Sequence, residues 1–366
     1  MSNFNPALPF TPSAVTHDEL SRVQQLLQSD ILAARIAIAQ LDGFIKGVPS
    51  STQALLSPIY LKEALASSEI ENINTTLIDV MQRLITPSSK RDESALVLNY
   101  FATMLWGLKT VKQGMVSRLI LGLHRRLLQG GTNDDLRHVQ VVIADGRGAV
   151  RHTPPIAQDI PKLIARWEKF VNDDQLARQI DPLVIAAAAH YQFEAIHPFL
   201  DGNGRTGRML MTLHLVHAGL IDTPSVHVSQ FINAQRPKYY QLLRETSLTN
   251  DYAPLVRFVV QGFAEQARHA FHLLQKIQAM RRDWHNEIKA KLPKLYRTDL
   301  VDTLFEFPVV TPVALGKVLD CHYVTASKYL HELAAKGYLK STRVSRNAYF
   351  VHFRLLELLG SEGRMR

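Results

Sequence analysis

The sequence predicts a mainly α-helical protein with one small β-hairpin and a winged helix-turn-helix at its C-terminal end. Three observations lead there. Apolar residues recur at helical spacing through long runs such as LSRVQQLLQSDILAARIAIAQLDGFI and ALVLNYFATMLWGLK. Only VQVVIADGRGAVRHTPP reads as strand, turn and strand. The last stretch reads helix, helix, turn, helix, hairpin.

Taken in order, residues 1 to about 17 are polar and proline-dotted, an extended arm. Helical patterns follow through Leu20–Ile45 and Tyr60–Ile85, and Pro87, Ser88, Ser89 and Lys90 read as a linker. Val139–Ile143 and Ala149–Arg151 flank the turn residues Asp145-Gly146-Arg147-Gly148, and Pro154-Pro155 stops the hairpin. The alanine-rich run before His197 favours helix, Pro198 ends it, and Arg205–Gly219 resumes a helical period. Another helix spans Tyr252 to about Lys289, with a boundary near Lys291–Pro293. In the last domain TPVALGKVLDC precedes a short His322-Tyr323 turn, a second helix, and the alternating STRVSRNAYFVHF of a wing.

At 366 residues the chain fits two or three domains, divided here as 1–90, 91–289 and 290–366. Hydrophobic content of 46% with 20% charged residues describes a soluble globular protein. A single cysteine, Cys321, excludes an internal disulfide and points to a reducing cytoplasm. MSNFNPALPF lacks the basic and apolar regions of a signal peptide, and no apolar run reaches transmembrane length, so no membrane association is expected. A net charge of +9 favours polyanionic partners, nucleotide or nucleic acid.

The chemistry concentrates in HPFLDGNGRTGR, His197 to Arg208. His197 can accept a proton near neutral pH. Asp201 is a hard oxygen ligand suited to magnesium, which is held by one or two carboxylates plus substrate phosphates. Gly202-Asn203-Gly204 permits a nest of backbone amides around an anion, and the following helix adds positive potential at its N-terminus. Arg205 and Arg208, three apart, can hold adjacent phosphates. Asn203-Gly204 is also a hairpin signal, but the right flank has helical periodicity. Gly202, Gly204 and Gly207 spell GxGxxG, yet the dinucleotide fingerprint needs a strand before it; a Walker loop fails because no Lys-Ser or Lys-Thr follows.

This segment resembles the Fic family signature HxFx(D/E)GNGRxxR and matches every defined position. The resemblance implies a Fic helical core, an N-terminal regulatory segment and, as in many bacterial members, a C-terminal winged helix. It implies a protein adenylyltransferase moving AMP from ATP, with Mg2+, onto a Ser, Thr or Tyr hydroxyl of a target protein. His197 would be the base and Asp201 the metal ligand. Gly202, Asn203, Gly204, Arg205 and Arg208 would cradle the phosphates, and Tyr239-Tyr240 would border the adenine end. The hairpin would be a flap that docks a target segment by strand addition. Phe199 reads as an anchor of the loop in the core.

SSEIEN, Ser67 to Asn72, resembles the family's inhibitory motif (S/T)xxxE(G/N). Ser67 and Glu71 share a helical face, and the resemblance implies that Glu71 pairs with Arg208 and blocks the γ-phosphate site. The same residues read as a capping box, Ser68-x-x-Glu71, that would merely start a helix. In the last domain Ser327, Lys328 and His331 would face outward, with Arg343 and Arg346 on the wing, for DNA phosphate or for docking another protein. Other readings stay open: another phosphate-moiety transfer, AMP removal, or a DNA-binding regulator that senses nucleotide. Self-modification and a homodimer are also left open.

Overall fold

The computed structural model describes residues 4–47, 56–87, 91–129, 136–344 and 347–361. Ser88, Ser89 and Lys90 of the expected linker and Arg346 of the wing lie outside them. The chain divides into two compact units, Met1–Asp42 with Ala66–Ile73 and Asn99–Arg268, and Gly43–Leu65 with Asn74–Leu98 and His269–Arg366. No helix among the described residues is long and apolar enough to cross a membrane.

The first unit is built around two helices, Pro182–Ile196 and Asn203–His217, packed on one another. Asp181 starts the former by accepting from the Leu183 amide at 2.9 Å, and Pro182 fills a first-turn position where no amide is needed. Its alanine run and flanking Leu183, Val184, Phe193 and Ile196 are buried on every face, as a central helix requires. The Ser117–Leu128 and Ile160–Val171 helices cover the pair.

The hairpin is shorter than its alternating sequence predicts. β1 is Ile143–Ala144 and β2 is Val150–His152, with Ile143 opposite His152. Val139 and Val142 are exposed, and Gln140 bonds the Pro154 carbonyl through its side chain, so this stretch gains neither burial nor ladder. Asp145 closes the turn by accepting from the Arg147 and Ala149 amides. The N-terminal arm is extended, as expected, and tied to the hairpin: the Phe10 amide donates to the Thr153 carbonyl at 2.9 Å.

In the second unit Thr298–Glu306, Pro312–Val318 and Tyr323–Ala335 are helices, and β3 (Val309–Val310), β4 (Lys340–Val344) and β5 (Asn347–Val351) form an antiparallel sheet in the order β3-β5-β4. This is the winged helix-turn-helix arrangement. His322 is not part of a turn with Tyr323; it caps Tyr323–Ala335, its ring accepting from the Val324 amide. Lys328, His331 and Arg343 are exposed, whereas Ser327 is half-buried beside the His331 ring.

Candidate active site

Two left-handed residues bracket the loop between the central helices. His197 ends Pro182–Ile196 at φ 49°, and Gly202 opens Asn203–His217 at φ 77°. The second helix therefore starts two residues before the expected Arg205. Gly202 carries no penalty for its dihedral; His197 does, and its position is enforced by neighbours. Arg137, 2% exposed, donates from Nε to the His197 carbonyl at 2.9 Å, from Nη1 to Val139 and from Nη2 to Pro155, and its amide donates to the Pro198 carbonyl. His124 stacks on Phe199 with ring centroids 3.6 Å apart and reaches the Asp201 carbonyl at 3.0 Å. Phe199 is fully buried, the loop's anchor.

Asn203 closes the loop. Its Oδ1 accepts from the Phe199 amide at 2.9 Å and its Nδ2 donates to the Phe199 carbonyl at 2.8 Å. The side chain expected among the phosphate contacts is thus engaged in holding the backbone. The Gly202 amide, also expected there, donates to the Asp201 carboxylate at 2.6 Å. What faces outward are the first amides of the helix, which have no intrahelical acceptor.

The histidine and both arginines converge on that helix end. His197 Nδ1 is buried without a hydrogen-bond partner among the described residues. Burial, helped by His152 and Arg137, pushes its ring down to about 4, so the imidazole is neutral at physiological pH. Arg205 is 3% exposed; Nη2 lies 3.4 Å from Asp201, while Nε and Nη1 are buried without acceptors. Two unsatisfied donors on a buried cation are costly unless an anion arrives. Asp201 is largely exposed, and among the described residues its carboxylate accepts only from the adjoining amide and Arg205. An exposed carboxylate beside the unsatisfied Arg205 fits a magnesium ion bound mainly through substrate phosphates.

Arg208 is already occupied. Its Nη2 meets Glu71 Oε1 at 2.8 Å and the Ser67 carbonyl at 2.8 Å, and its Nε donates to Ser67 Oγ at 2.9 Å. Burial is the largest influence and would lower the guanidinium's pKa, but the Glu71 carboxylate together with Tyr239 and Tyr100 makes the net shift upward. A Cβ on Gly204 would collide with the Glu71 carboxylate and Arg208 Nη1, so that glycine is what lets the carboxylate approach the helix end. The Ser57–Ile70 helix runs straight through Ser68, which rules out the capping box at its start. The helix instead ends there. The Ile73 amide donates to Ser68, the Asn72 amide to Glu69, and Asn72 sits at φ 61°, a Schellman ending in which the motif's last residue takes the left-handed position. Arg236 and Asn233 clasp this ending through the Glu69 carbonyl and carboxylate.

The two tyrosines part company. Tyr239 is buried and bonds His190 Nε2 at 2.6 Å, whereas Tyr240 is half exposed. Sequence reasoning passed over Arg137, His124, Asn233 and Arg236, whose partners lie far away along the chain.

A helical core that carries this loop between its two central helices, with a glutamate seated on the loop's second arginine, defines a Fic-type protein. The family model for the Fic/DOC family matches residues 115–215, that for the Fic/DOC family N-terminal region matches 29–109, and that for the protein adenylyltransferase SoFic-like C-terminal domain matches 280–355. The chain belongs to the Fic/DOC family. It is 32% identical over 212 residues to proteins called "Protein adenylyltransferase Fic" in Drosophila grimshawi and Drosophila persimilis, over 55% of this chain and 40% and 38% of theirs. It thus spans about two fifths of the length of those curated relatives. Among solved structures, a Fic family protein from Desulfovibrio desulfuricans G20 superposes with TM-score 0.55 at 23% identity, over 93% of this chain and 98% of that one. Fic-1 from C. elegans superposes at 0.52 and 20% identity, over 70% and 76%.

Proposed function

We propose that this protein is an adenylyltransferase that moves AMP from ATP to a hydroxyl side chain of a protein and is restrained by its own Glu71. The observation carrying the reading is the anion site at the start of Asn203–His217: two buried arginines, one unsatisfied and one held by a carboxylate, beside a neutral histidine.

In this mechanism His197 Nε2 takes the proton of the incoming hydroxyl as its oxygen attacks the α-phosphorus. The new phosphoester forms as the bond to the β-phosphate breaks, and pyrophosphate leaves. Arg205 meets the β-phosphate with its spare donors, and the first helix amides face the α-phosphate. Arg208 holds the γ-phosphate once Glu71 has left it. Asp201 would hold Mg2+, which supplies charge neutralisation on the leaving pyrophosphate. The contribution of the chain is positioning and electrostatics, as in other phosphoryl transfers.

The names of the Drosophila relatives support the transfer of adenylyl rather than another phosphate moiety. With Glu71 on Arg208 the triphosphate would bind out of line, which is the proposed autoinhibition. DNA contact by Lys328, His331 and Arg343 is a separate proposal for the C-terminal unit. The test of the main reading is intact-mass analysis of Glu71→Gly protein incubated with ATP and magnesium. A gain of one adenylyl group, absent in the Glu71→Gly/His197→Ala protein, supports it; no gain on the protein or on any added lysate protein refutes it.

A further inference from the structure

Pro182–Ile196 buries every face, yet one acid sits on it, Glu194, one turn before His197. Its side chain is 13% exposed, and Oε1 is buried without a hydrogen-bond donor. His190 Nδ1, also unpartnered, lies 3.9 Å away. On the other side the carboxyl rests on Gly207: a Cβ there would collide with Glu194 Oε1 and press on Phe193 and His190. Gly207 immediately precedes Arg208, so the carboxyl lies against the stretch of helix that carries the guanidinium. Glu194 interacts electrostatically with both Arg208 and Glu71. Arg208, 1% exposed on its side chain, is thus flanked by two carboxyl groups and bonded to only one.

We propose that Glu194 is a positioning residue for Arg208, a second carboxyl that holds the guanidinium in the site when Glu71 leaves it. The proposal rests on the reading above, in which ATP and Glu71 compete for Arg208. A buried guanidinium stripped of its bonded carboxylate, with only the Ser67 hydroxyl and carbonyl left, is strongly unfavourable. Glu194 supplies the replacement without moving to a new element.

The exchange carries a proton. Burial pushes the Glu194 carboxyl up to about 8, with Arg208 pulling it back and Glu71 adding to the rise. With Glu71 seated, Glu194 is therefore mostly neutral at pH 7. Removing the Glu71 charge takes away one of the influences that raise the carboxyl, so Glu194 ionises more readily beside Arg208. A triphosphate arriving on Arg208 restores a nearby negative charge, and Glu194 takes a proton back from solvent. The groups around it do not titrate in this range. On its own helix burial holds His190 at about 3 and His197 at about 4. On the facing helices Arg205 and Arg208 stay charged, and burial raises Tyr239 and Tyr240 above the ordinary phenol value. His152 of β2 is lowered by burial and stays neutral.

The test is calorimetric titration of Glu71→Gly protein with magnesium-ATP at about pH 8, run in two buffers of different ionisation enthalpy. Net uptake of up to about half a proton per ATP is expected, since a carboxyl that titrates at about 8 is half protonated at that pH. ATP binding with no proton uptake overturns the proposal and leaves the proposed function standing; no ATP binding overturns both. Glu71→Gly/Glu194→Gln, folded by circular dichroism, is expected to bind ATP without uptake. Its KM for ATP should stay level between about pH 7 and 9, where that of Glu71→Gly rises up to about tenfold per pH unit. Parallel KM profiles in the two proteins would also overturn it, because a purely structural Glu194 predicts no proton linkage.

Discussion

Replacing Glu71 with glycine should raise forward transfer while lowering stability, and the structure sets the size of both effects. Arg208 is 1% exposed but Glu71 keeps 34% of its side chain exposed, so their 2.8 Å pair is half screened. It therefore falls between exposed pairs, worth up to about 1 kcal/mol, and breaking a buried pair, which costs roughly 3–5 kcal/mol. An intermediate value of about 2 kcal/mol means the site is free of Glu71 only about one part in thirty, and ATP must be bound against that ratio. Glu71→Gly should then raise the initial forward rate at low ATP by about thirtyfold. Thermal unfolding should fall by roughly 4–8 °C for a unit of this size, since Arg208 loses its hydrogen-bonded carboxylate. The assay is the initial rate of label transfer from α-labelled ATP, measured apart from removal of preformed modification. A folded Glu71→Gly protein with a forward rate within twofold of wild type would refute the competition between Glu71 and phosphate. A rate gain seen only as slower removal would place Glu71 in AMP hydrolysis instead.

His197→Ala in the Glu71→Gly background should lose about a hundred- to ten-thousand-fold in rate. Because burial holds His197 at about 4, kcat/KM of the His197-containing protein should persist down to about pH 5, and an acid limb near 6.5 would contradict this environment. Arg137→Leu strips acceptable donors from the His197, Val139 and Pro155 carbonyls, each costing about 1–3 kcal/mol if left unpaired; denaturant unfolding should show the loss, with the rate per folded molecule falling too. Asn72→Val forces a β-branched residue into the left-handed helix ending, which should misplace Glu71 and raise forward activity, whereas Asn72→Gly should leave restraint intact. If the C-terminal unit contacts DNA, anisotropy titrations should show affinity falling steeply with salt, and Arg343→Ala should weaken binding across all sequences alike; no binding at low salt would exclude DNA as its partner.

The loop from His197 to Arg208 was legible because its residues are neighbours in sequence, and because proline, glycine and periodicity mark where each flanking helix stops and starts. The use made of each residue was less so. Asn203 reads as an anion contact by type, but closing a five-residue loop on Phe199 takes both ends of its amide. Arg137 and His124 carry no local pattern, since their partners lie 60 and 77 residues away. Ser68 and Glu71 have the spacing of a helix start, but the helical period through Ile59–Ala66 already argues against a start there, and the helix runs Ser57–Ile70. The Ile73 and Asn72 amides turning back to Ser68 and Glu69 show that a helix ends here. In the hairpin, alternation in Val139–Ile143 suggested a longer strand, but alternation predicts pairing only where one face is buried, and here Val139 and Val142 are exposed while Val141 is only half-buried.

The central claim is adenylyl transfer through the His197–Arg208 loop. It is tested most directly by incubating Glu71→Gly protein with magnesium and ATP labelled at either the α- or the γ-phosphate, then counting label on protein. The account predicts retention of the α-label alone, with none retained by the Glu71→Gly/His197→Ala protein. Retention of the γ-label would make the transferred group phosphate and contradict it.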